Sequence, residues 1–436
     1  MNLLLRGGTM VTMDARRRVL RGDLLVRDGK IAAVGRAAGP ANTTVIDCTD
    51  RIVLPGLIHA HMHLCQALFR NAADGLPLLE WLTRRIWPLE MAHDARSLAA
   101  SARLGIAELI RSGATAALDM GTVHHHDAVF EVARDSGFRL ASGKAMMDDG
   151  SGLPRGMRET KRDSLRESDR LRKTWDGAAD GRLTFCYAPR FALSTTESLC
   201  REVADRKGIV HTHASEHAAE CAEVKRRFRF DNVELLHRWG LAGPRSTFAH
   251  VVHPTTREIR LLAKSGTTVA HCPSANLKLA SGLAPIPELI AAGVHVGIGA
   301  DGAACNNRLD IWEEMRLAAL LQLPRVGADG VSPRAVLEMA TLGGARAIGA
   351  EGVVGRLAVG MRADVTVVDL TGAHATPAGD DVYARLVYCG RASDVRTVIV
   401  DGRVLFKDGQ LTTLDEEAVV AEAARQAMIV KKRAFR

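Results

Sequence analysis

The 436-residue sequence is poor in aromatics: phenylalanine, tryptophan and tyrosine make up only 4% of it. Its net charge of +8 comes without any basic run interleaved with aromatics, so a nucleic-acid groove with stacking platforms is not expected. No apolar run approaches the roughly 18 residues that a membrane span requires, and the opening stretch Met1–Gly8 reads as too short and polar for a signal peptide. The eight cysteines (Cys48, Cys65, Cys186, Cys200, Cys221, Cys272, Cys305 and Cys389) are scattered, with no C-x-x-C spacing. That pattern argues against a disulfide framework and for reduced thiols in a cytoplasmic protein. Internal repeats and low-complexity segments are also missing. What is present is 47% hydrophobic and 25% charged, an ordinary globular composition in a chain long enough for a barrel and a smaller companion.

The hydrophobic pattern changes twice along the chain. Residues 1–54 read as short strands broken by glycines and charges: Asn2–Leu5, Thr9–Thr12, Asp23–Arg27, Lys30–Val34 and Thr44–Asp47. Strand-like runs then follow at Ile52–Ile58, Thr115–Met120, Arg139–Met146, Leu183–Ala188, Ile209–His213, Thr247–His250, Thr267–Ala270 and Val294–Ala300. Amphipathic helical stretches lie between most of them, such as Ser97–Arg111, Asp127–Ser136, Ala218–Phe228 and Thr256–Ser265, with Leu309–Leu321 after the last. Eight strands alternating with helices predict an α/β protein, a parallel (β/α)8 TIM barrel over residues 55–354. Residues 355–410 return to short strands (Ala363–Asp369, Val395–Val400, Arg403–Phe406), with a turn signal at Asp401-Gly402. The two β-rich ends are expected to pair into one small β-sandwich, and a helix, Leu414–Lys432, occupies residues 411–436. Gly150–Gly156 and Thr371–Asp381 read as loops, and the stretch from Thr195 to Val210 reads as short for a full helix.

Reactive groups of a parallel barrel sit where strands end and loops begin. The first strand runs through Pro55-Gly56-Leu57-Ile58 into His59-Ala60-His61-Met62-His63, and residues two apart on a strand project to one side. The fifth ends in His211-Thr212-His213-Ala214-Ser215-Glu216, the sixth in His250, the seventh in His271 and the eighth in Asp301. His61, His63, His213 and Asp301 together form a ligand set for one divalent metal, zinc ahead of iron, with a position left for water. Such an ion lowers the pKa of its water from about 15.7 toward about 7, worth roughly 12 kcal/mol at ~1.4 kcal/mol per unit. Glu216 is placed to carry the water proton to a leaving nitrogen. His250 would orient the nucleophile and stabilise the tetrahedral intermediate, and Asp301 is a ligand that also accepts a proton.

On these residues the chain resembles the amidohydrolase superfamily, in particular its mononuclear deaminase branch. The resemblance rests on Pro55-Gly56 with His61-x-His63, His213-x-x-Glu216, His250, the stretch His271–Gly282, Gly299-Ala300-Asp301-Gly302-Ala303, and Gly360-x-x-Ala363-Asp364-Val365. It implies a hydrolase of carbon–nitrogen bonds other than peptide bonds, a cyclic amidine aminohydrolase. Leu76–Leu82 and Ile86–Glu90 resemble the deaminases of S-adenosylhomocysteine, methylthioadenosine and 5′-deoxyadenosine; Gly121–His125 and Asn306–Asp310 suit the 5′-deoxyadenosine type. The expected reaction is hydrolytic deamination of an aminopurine nucleoside, hydroxide made at the ion adding to the amine-bearing ring carbon and ammonia leaving.

Gln66, Arg190 and Phe191 are shared with guanine deaminases, which makes Gln66, Trp81, Arg190, Phe191 and, more weakly, His125 the substrate-contact candidates. Arg190 stands where many adenosine-type relatives carry His and lends weight to an oxopurine such as guanine or 8-oxoguanine. Hydrolysis of s-triazines uses similar machinery and is a further alternative, and a non-catalytic scaffold is the rival from a different class. A binuclear amidohydrolase needs a lysine after the fourth strand, and residues 178–206 contain none. His59 stands where relatives usually show Asn, and the His124-His125-His126 cluster is the one place for a second metal. The expected partners are a small purine-type molecule and further copies of the chain, with no nucleic acid and no membrane.

Overall fold

The first barrel strand, Leu57–His63, is buried along its whole length, as a strand covered on both faces must be. Parallel pairing continues through Ala114–Met120, Arg139–Gly143, Leu183–Pro189, Ile209–Ala214, Ser246–His250, Thr268–His271 and His295–Ile298. The short strand Asp301–Gly302, just after the last of these, pairs with Met62 and His63 of the first. This contact closes the ring. The computed structural model describes residues 2–436, and in it the expected barrel is present. Gly299 makes the closure sterically feasible: a Cβ there would sit 2.7–2.9 Å from the backbone and Cβ of His61.

Among the described residues nine strands form a second sheet, drawn from both the N-terminal and the C-terminal part of the chain. Ile52–Pro55 pairs in parallel with Asn2–Val11 and antiparallel with Val365–Val368, joining the two ends. Its core includes Leu3, Leu24, Val53, Val365 and Ile399. The apolar run Ile52–Ile58, one strand in the sequence reading, is divided between the sheets at Gly56, where a Cβ would lie 2.0 Å from Thr115 Oγ1. Asn2–Leu5 and Thr9–Thr12 merge into one strand, Asn2–Val11, with the irregularity falling at Leu5/Gly8: the glycines bend the strand rather than end it. At Asp401-Gly402 both residues have positive φ, 54° and 77°, as a tight hairpin turn requires. The buried Arg139–Asp364 pair ties barrel to sheet, with Nε to Oδ2 at 2.7 Å and Nη2 to Oδ1 at 3.0 Å.

The helices carry their own start and stop signals. Ala95–Arg111 starts on a capping box from Asp94 to Ser97, and the C-terminal helix Glu416–Ala434 packs on it. Glu197–Asp205 is capped by Thr196 and fills the stretch read as short for a helix. A helix not foreseen, Lys161–Trp175, buries only a narrow face that includes Leu165, Leu171 and Trp175. No helix among the described residues is long and apolar enough to cross a membrane.

Candidate active site

At the C-terminal side of the barrel, three strands bring His61, His63, His213 and Asp301 together, with one ligand atom of each lying within 4.8 Å of the others. Strand alternation sends His61 and His63 inward, and the pairing of Asp301 with Met62 sets the carboxylate beside them. His61 Nε2 lies 3.3 Å and His63 Nε2 3.4 Å from Asp301 Oδ1.

The hydrogen bonds on the far side of each ring decide its tautomer. His63 Nδ1 is 2.7 Å from the Met120 carbonyl, and His213 Nδ1 is 2.8 Å from the Arg190 carbonyl. A carbonyl only accepts, so both Nδ1 atoms carry hydrogen and both Nε2 atoms present bare lone pairs. His211 Nδ1 likewise donates to the Thr247 carbonyl at 3.0 Å. His211 Nε2 is therefore an acceptor, taking the His61 Nδ1 hydrogen at 2.7 Å. His61 Nε2 is left bare and buried, with no hydrogen-bond partner among the described residues. Burial holds the rings neutral: it pushes His61 down to about 4, and His213 and His211 well below the usual imidazole range. His63 Nε2 and His213 Nε2 then face each other 3.1 Å apart as two lone pairs. Three convergent bare nitrogens beside a carboxylate repel one another unless a cation sits among them, so the residues fit a divalent metal.

A second trio, Glu216, His250 and Asp301, shares the carboxylate. His250 Nε2 is 3.5 Å from Glu216 Oε2 and 3.8 Å from Asp301 Oδ2. Its Nδ1 lies 2.8 Å from Asn276 Oδ1, which fixes the ring. Burial, with the Asp301 and Glu220 charges, raises the Glu216 carboxyl well above the usual carboxylate range. Burial would also raise Asp301, but contact with His61 and the neighbouring imidazoles hold it well below that range. Several of these strand ends are in the left-handed region: Ser215 at φ 49°, His250 at 72°, Val251 at 47° and Asp301 at 60°. For non-glycine residues, a β-branched one above all, such conformations cost of order 1–3 kcal/mol each and gather at functional sites. Val251 and Val252 amides donating to the Ala214 and Ser215 carbonyls at 3.0 and 2.8 Å hold the two strand ends together.

Above the cluster lies a cavity of about 20 Å³, roughly the room one water needs; Trp81, Arg190 and Phe191 line it with His63, His213 and Glu216. Arg190 is 2% exposed and forms a bidentate pair with Glu90, 2.5 Å from Nη1 to Oε2 and 3.0 Å from Nη2 to Oε1. Gln66 is buried behind this pair, its Nε2 donating to Glu90 Oε1 at 2.9 Å, and does not line the cavity. His125 is exposed on its loop, away from the lining. His124 bonds the Gly156 carbonyl, and His126 is buried against Ser142. Among the described residues no candidate metal cluster includes these three histidines. His59 is buried, and neither ring nitrogen has a hydrogen-bond partner among the described residues.

The sequence reading gave no role to Glu90, His211 or Asn276. His211 carried a readable signal, its two-residue spacing from His213. Glu90 and Asn276 carried none, since only folding shows what they face.

With this geometry in view, the comparisons with known proteins decide the family. Residues 52–405 match the amidohydrolase family. The chain belongs to the amidohydrolase family. It is 39% identical over 415 residues to a 5-methylthioadenosine/S-adenosylhomocysteine deaminase of Moorella thermoacetica, covering 93% of this chain and 94% of that one. It is 37% identical over 432 residues to a 5′-deoxyadenosine deaminase of Methanosarcina barkeri, covering 98% of each. Among solved structures, an adenosine deaminase from Xanthomonas campestris with bound zinc superposes with a TM-score of 0.91 at 31% identity, covering 99% of this chain and 98% of that one.

Proposed function

We propose that this amidohydrolase is a zinc-dependent hydrolytic deaminase of adenine nucleosides of the 5′-deoxyadenosine, methylthioadenosine or S-adenosylhomocysteine type. The observation that carries the reading is the convergence of three bare imidazole nitrogens on the Asp301 carboxylate, 3.3 and 3.4 Å from His61 and His63. The deaminases that the chain resembles over more than nine-tenths of its length support the substrate class.

His61, His63, His213 and Asp301 would hold the ion, whose charge makes water acidic enough to act as a nucleophile near neutral pH. The chain's own groups account for the rest. As water adds to the ring carbon bearing the amine its proton passes to Glu216, whose raised carboxyl holds it and then gives it to the departing nitrogen. The carbon–nitrogen bond breaks and ammonia leaves. His250, fixed by Asn276, presents Nε2 to Glu216 and to Asp301 Oδ2, where a hydrogen on Nε2 would stabilise charge developing between them. Trp81 and Phe191 shut out bulk water on the apolar side of the cavity. Arg190 has both terminal nitrogens engaged by Glu90, which leaves less of its fork for an oxopurine.

Ammonia release by the zinc-loaded protein tests the reading. Turnover is expected with 5′-deoxyadenosine, methylthioadenosine or S-adenosylhomocysteine, and little with guanine, 8-oxoguanine or an s-triazine. Activity confined to guanine or the triazine would reject it.

A further inference from the structure

A cavity of about 520 Å³ lies at the base of the barrel, the end opposite the proposed metal ligands. The strand His295–Ile298 begins at its wall and runs from there toward Asp301. Arg17 reaches in from the turn between strands Asn2–Val11 and Val19–Arg27, and Arg346 and Arg356 from the chain that follows Met339–Gly343. Three guanidinium groups therefore share the space with only two carboxylates, Glu338 and Glu351. Each carboxylate is already taken: Glu338 by Arg17 Nε at 2.6 Å, Glu351 by Arg346 Nη1 at 2.9 Å. Arg356 has no hydrogen bond or ion pair from its side chain among the described residues. The Nε atoms of Arg346 and Arg356 are both buried and both without a partner. Ile290, Val294, Met339 and Val354 supply an apolar wall, and the exposed His295 and Glu351 mark where the cavity meets solvent.

We propose that this basal cavity is a second ligand site, separate from the strand-end cluster, and that it binds a small organic phosphate. A buried N–H left unmade costs about 1–3 kcal/mol, and here two such donors and one unbalanced positive charge lie around the same space. An anion satisfies both demands at once. A guanidinium presents its donors in a fixed fork that matches an oxyanion, and such charge-assisted bonds are the stronger kind. Donors on three separate arginines favour a phosphate monoester, which offers three oxygens, over a carboxylate, which offers two. The volume falls within the roughly 300–1,000 Å³ of small-molecule sites, and the apolar wall suits the organic part of the ligand. Nothing in this assignment depends on the reaction at the other end of the barrel.

The test is isothermal titration of the zinc-loaded protein with phenyl phosphate, benzoate and orthophosphate, none of which carries a purine. Phenyl phosphate is expected to bind with a dissociation constant below about 1 mM, and benzoate and orthophosphate each at least about fivefold more weakly. Arg356→Gln removes the unpaired guanidinium and is expected to weaken phenyl phosphate at least about tenfold; Arg356→Lys, which keeps the charge but loses the fork, should fall between. Arg162→Gln, the same charge change at an exposed helix position outside the cavity, is expected to stay within about twofold of the parent. Should Arg356→Gln lower the melting temperature, Arg346→Gln carries the same expectation. Absence of saturable binding overturns the site, as do equal titrations of the parent and a folded arginine variant, the result expected if phosphate met only the metal centre. Benzoate binding as tightly as phenyl phosphate refutes the assignment to phosphates.

Discussion

His211 does not line the inner cavity, yet the hydrogen-bond chain makes it decisive for the proposed metal site. It is the acceptor, at 2.7 Å, that keeps hydrogen on His61 Nδ1 and leaves Nε2 bare. Replacing it with phenylalanine keeps ring volume and removes the acceptor. His61 then either buries an unsatisfied N–H or changes tautomer and aims hydrogen at the ion. A buried donor without a partner costs about 1–3 kcal/mol. Expressed in metal binding, at ~1.4 kcal/mol per decade, that is a weakening of zinc affinity by roughly 5- to 150-fold, in line with the 10- to 100-fold typical of groups that orient metal ligands. Competition of the apo-protein with a chromogenic chelator measures this dissociation constant directly. His211→Gln, whose amide oxygen still accepts, is expected to recover much of the loss. Zinc affinity within twofold of the parent in the Phe variant, or equal losses in Phe and Gln variants, would refute the tautomer argument.

Other expectations follow from individual side chains. Glu216→Gln should retain bound zinc by elemental analysis and lose most turnover, because the amide can neither take up nor release the shuttled proton; a near-normal rate removes Glu216 as the shuttle. His213→Ala should lower metal content, and unchanged zinc would reject it as a ligand. Glu90→Leu strands the buried Arg190 guanidinium and is expected to cost about 3–5 kcal/mol in denaturant titrations, most of it recovered in the Glu90→Leu/Arg190→Met pair. Burial pushes Glu314 up to about 8 despite bonds from Ser274 and Asn306. The folded state therefore binds this proton more tightly than the unfolded chain, and stability from this group should fall as pH rises from about 4.5 toward 8. Glu314→Gln should flatten that fall in melting temperature; an identical pH profile would show that the residue does not ionise in that window.

The barrel was legible because its strands are buried on both faces and so appear as unbroken apolar runs, and because each helix between them has an apolar face. Lys161–Trp175 escaped notice for the opposite reason: with Arg, Lys, Asp and Glu at most of its positions, its few apolar residues give almost no periodic signal. The apolar run at Ile52–Ile58 misled in a different way, since hydrophobicity does not reveal which of two sheets a strand joins; the change occurs at Gly56, for steric reasons visible only with Thr115 in place. At the site, His61, His63, His213, Glu216, His250 and Asp301 were legible because strand-end position and residue type coincide. Gln66 and His125 show the limit. Gln66 sits three residues past a metal-ligand candidate but is turned toward Glu90, and His125 lies in a loop whose path no local pattern dictates.

The same features that make the site costly make its chemistry intelligible. A folded chain rarely buries three imidazole lone pairs against one another, nor holds Ser215, His250, Val251 and Asp301 together at positive φ. Relaxing either would be simple in isolation: one ring flip, one strand end released. Neither relaxation occurs, because each ring is tied from behind to a backbone carbonyl or to His211, and each strained residue to a neighbouring strand. The ties are spread over Met120, Arg190, Thr247 and Ala214, three of them on different strands and Arg190 just past the end of a fourth. Only a closed barrel can supply them simultaneously. In this chain the ring closure through Asp301–Gly302 and the assembly of the proposed ligand set are therefore one structural event, and the pairing that closes the ring is the pairing that completes the candidate site.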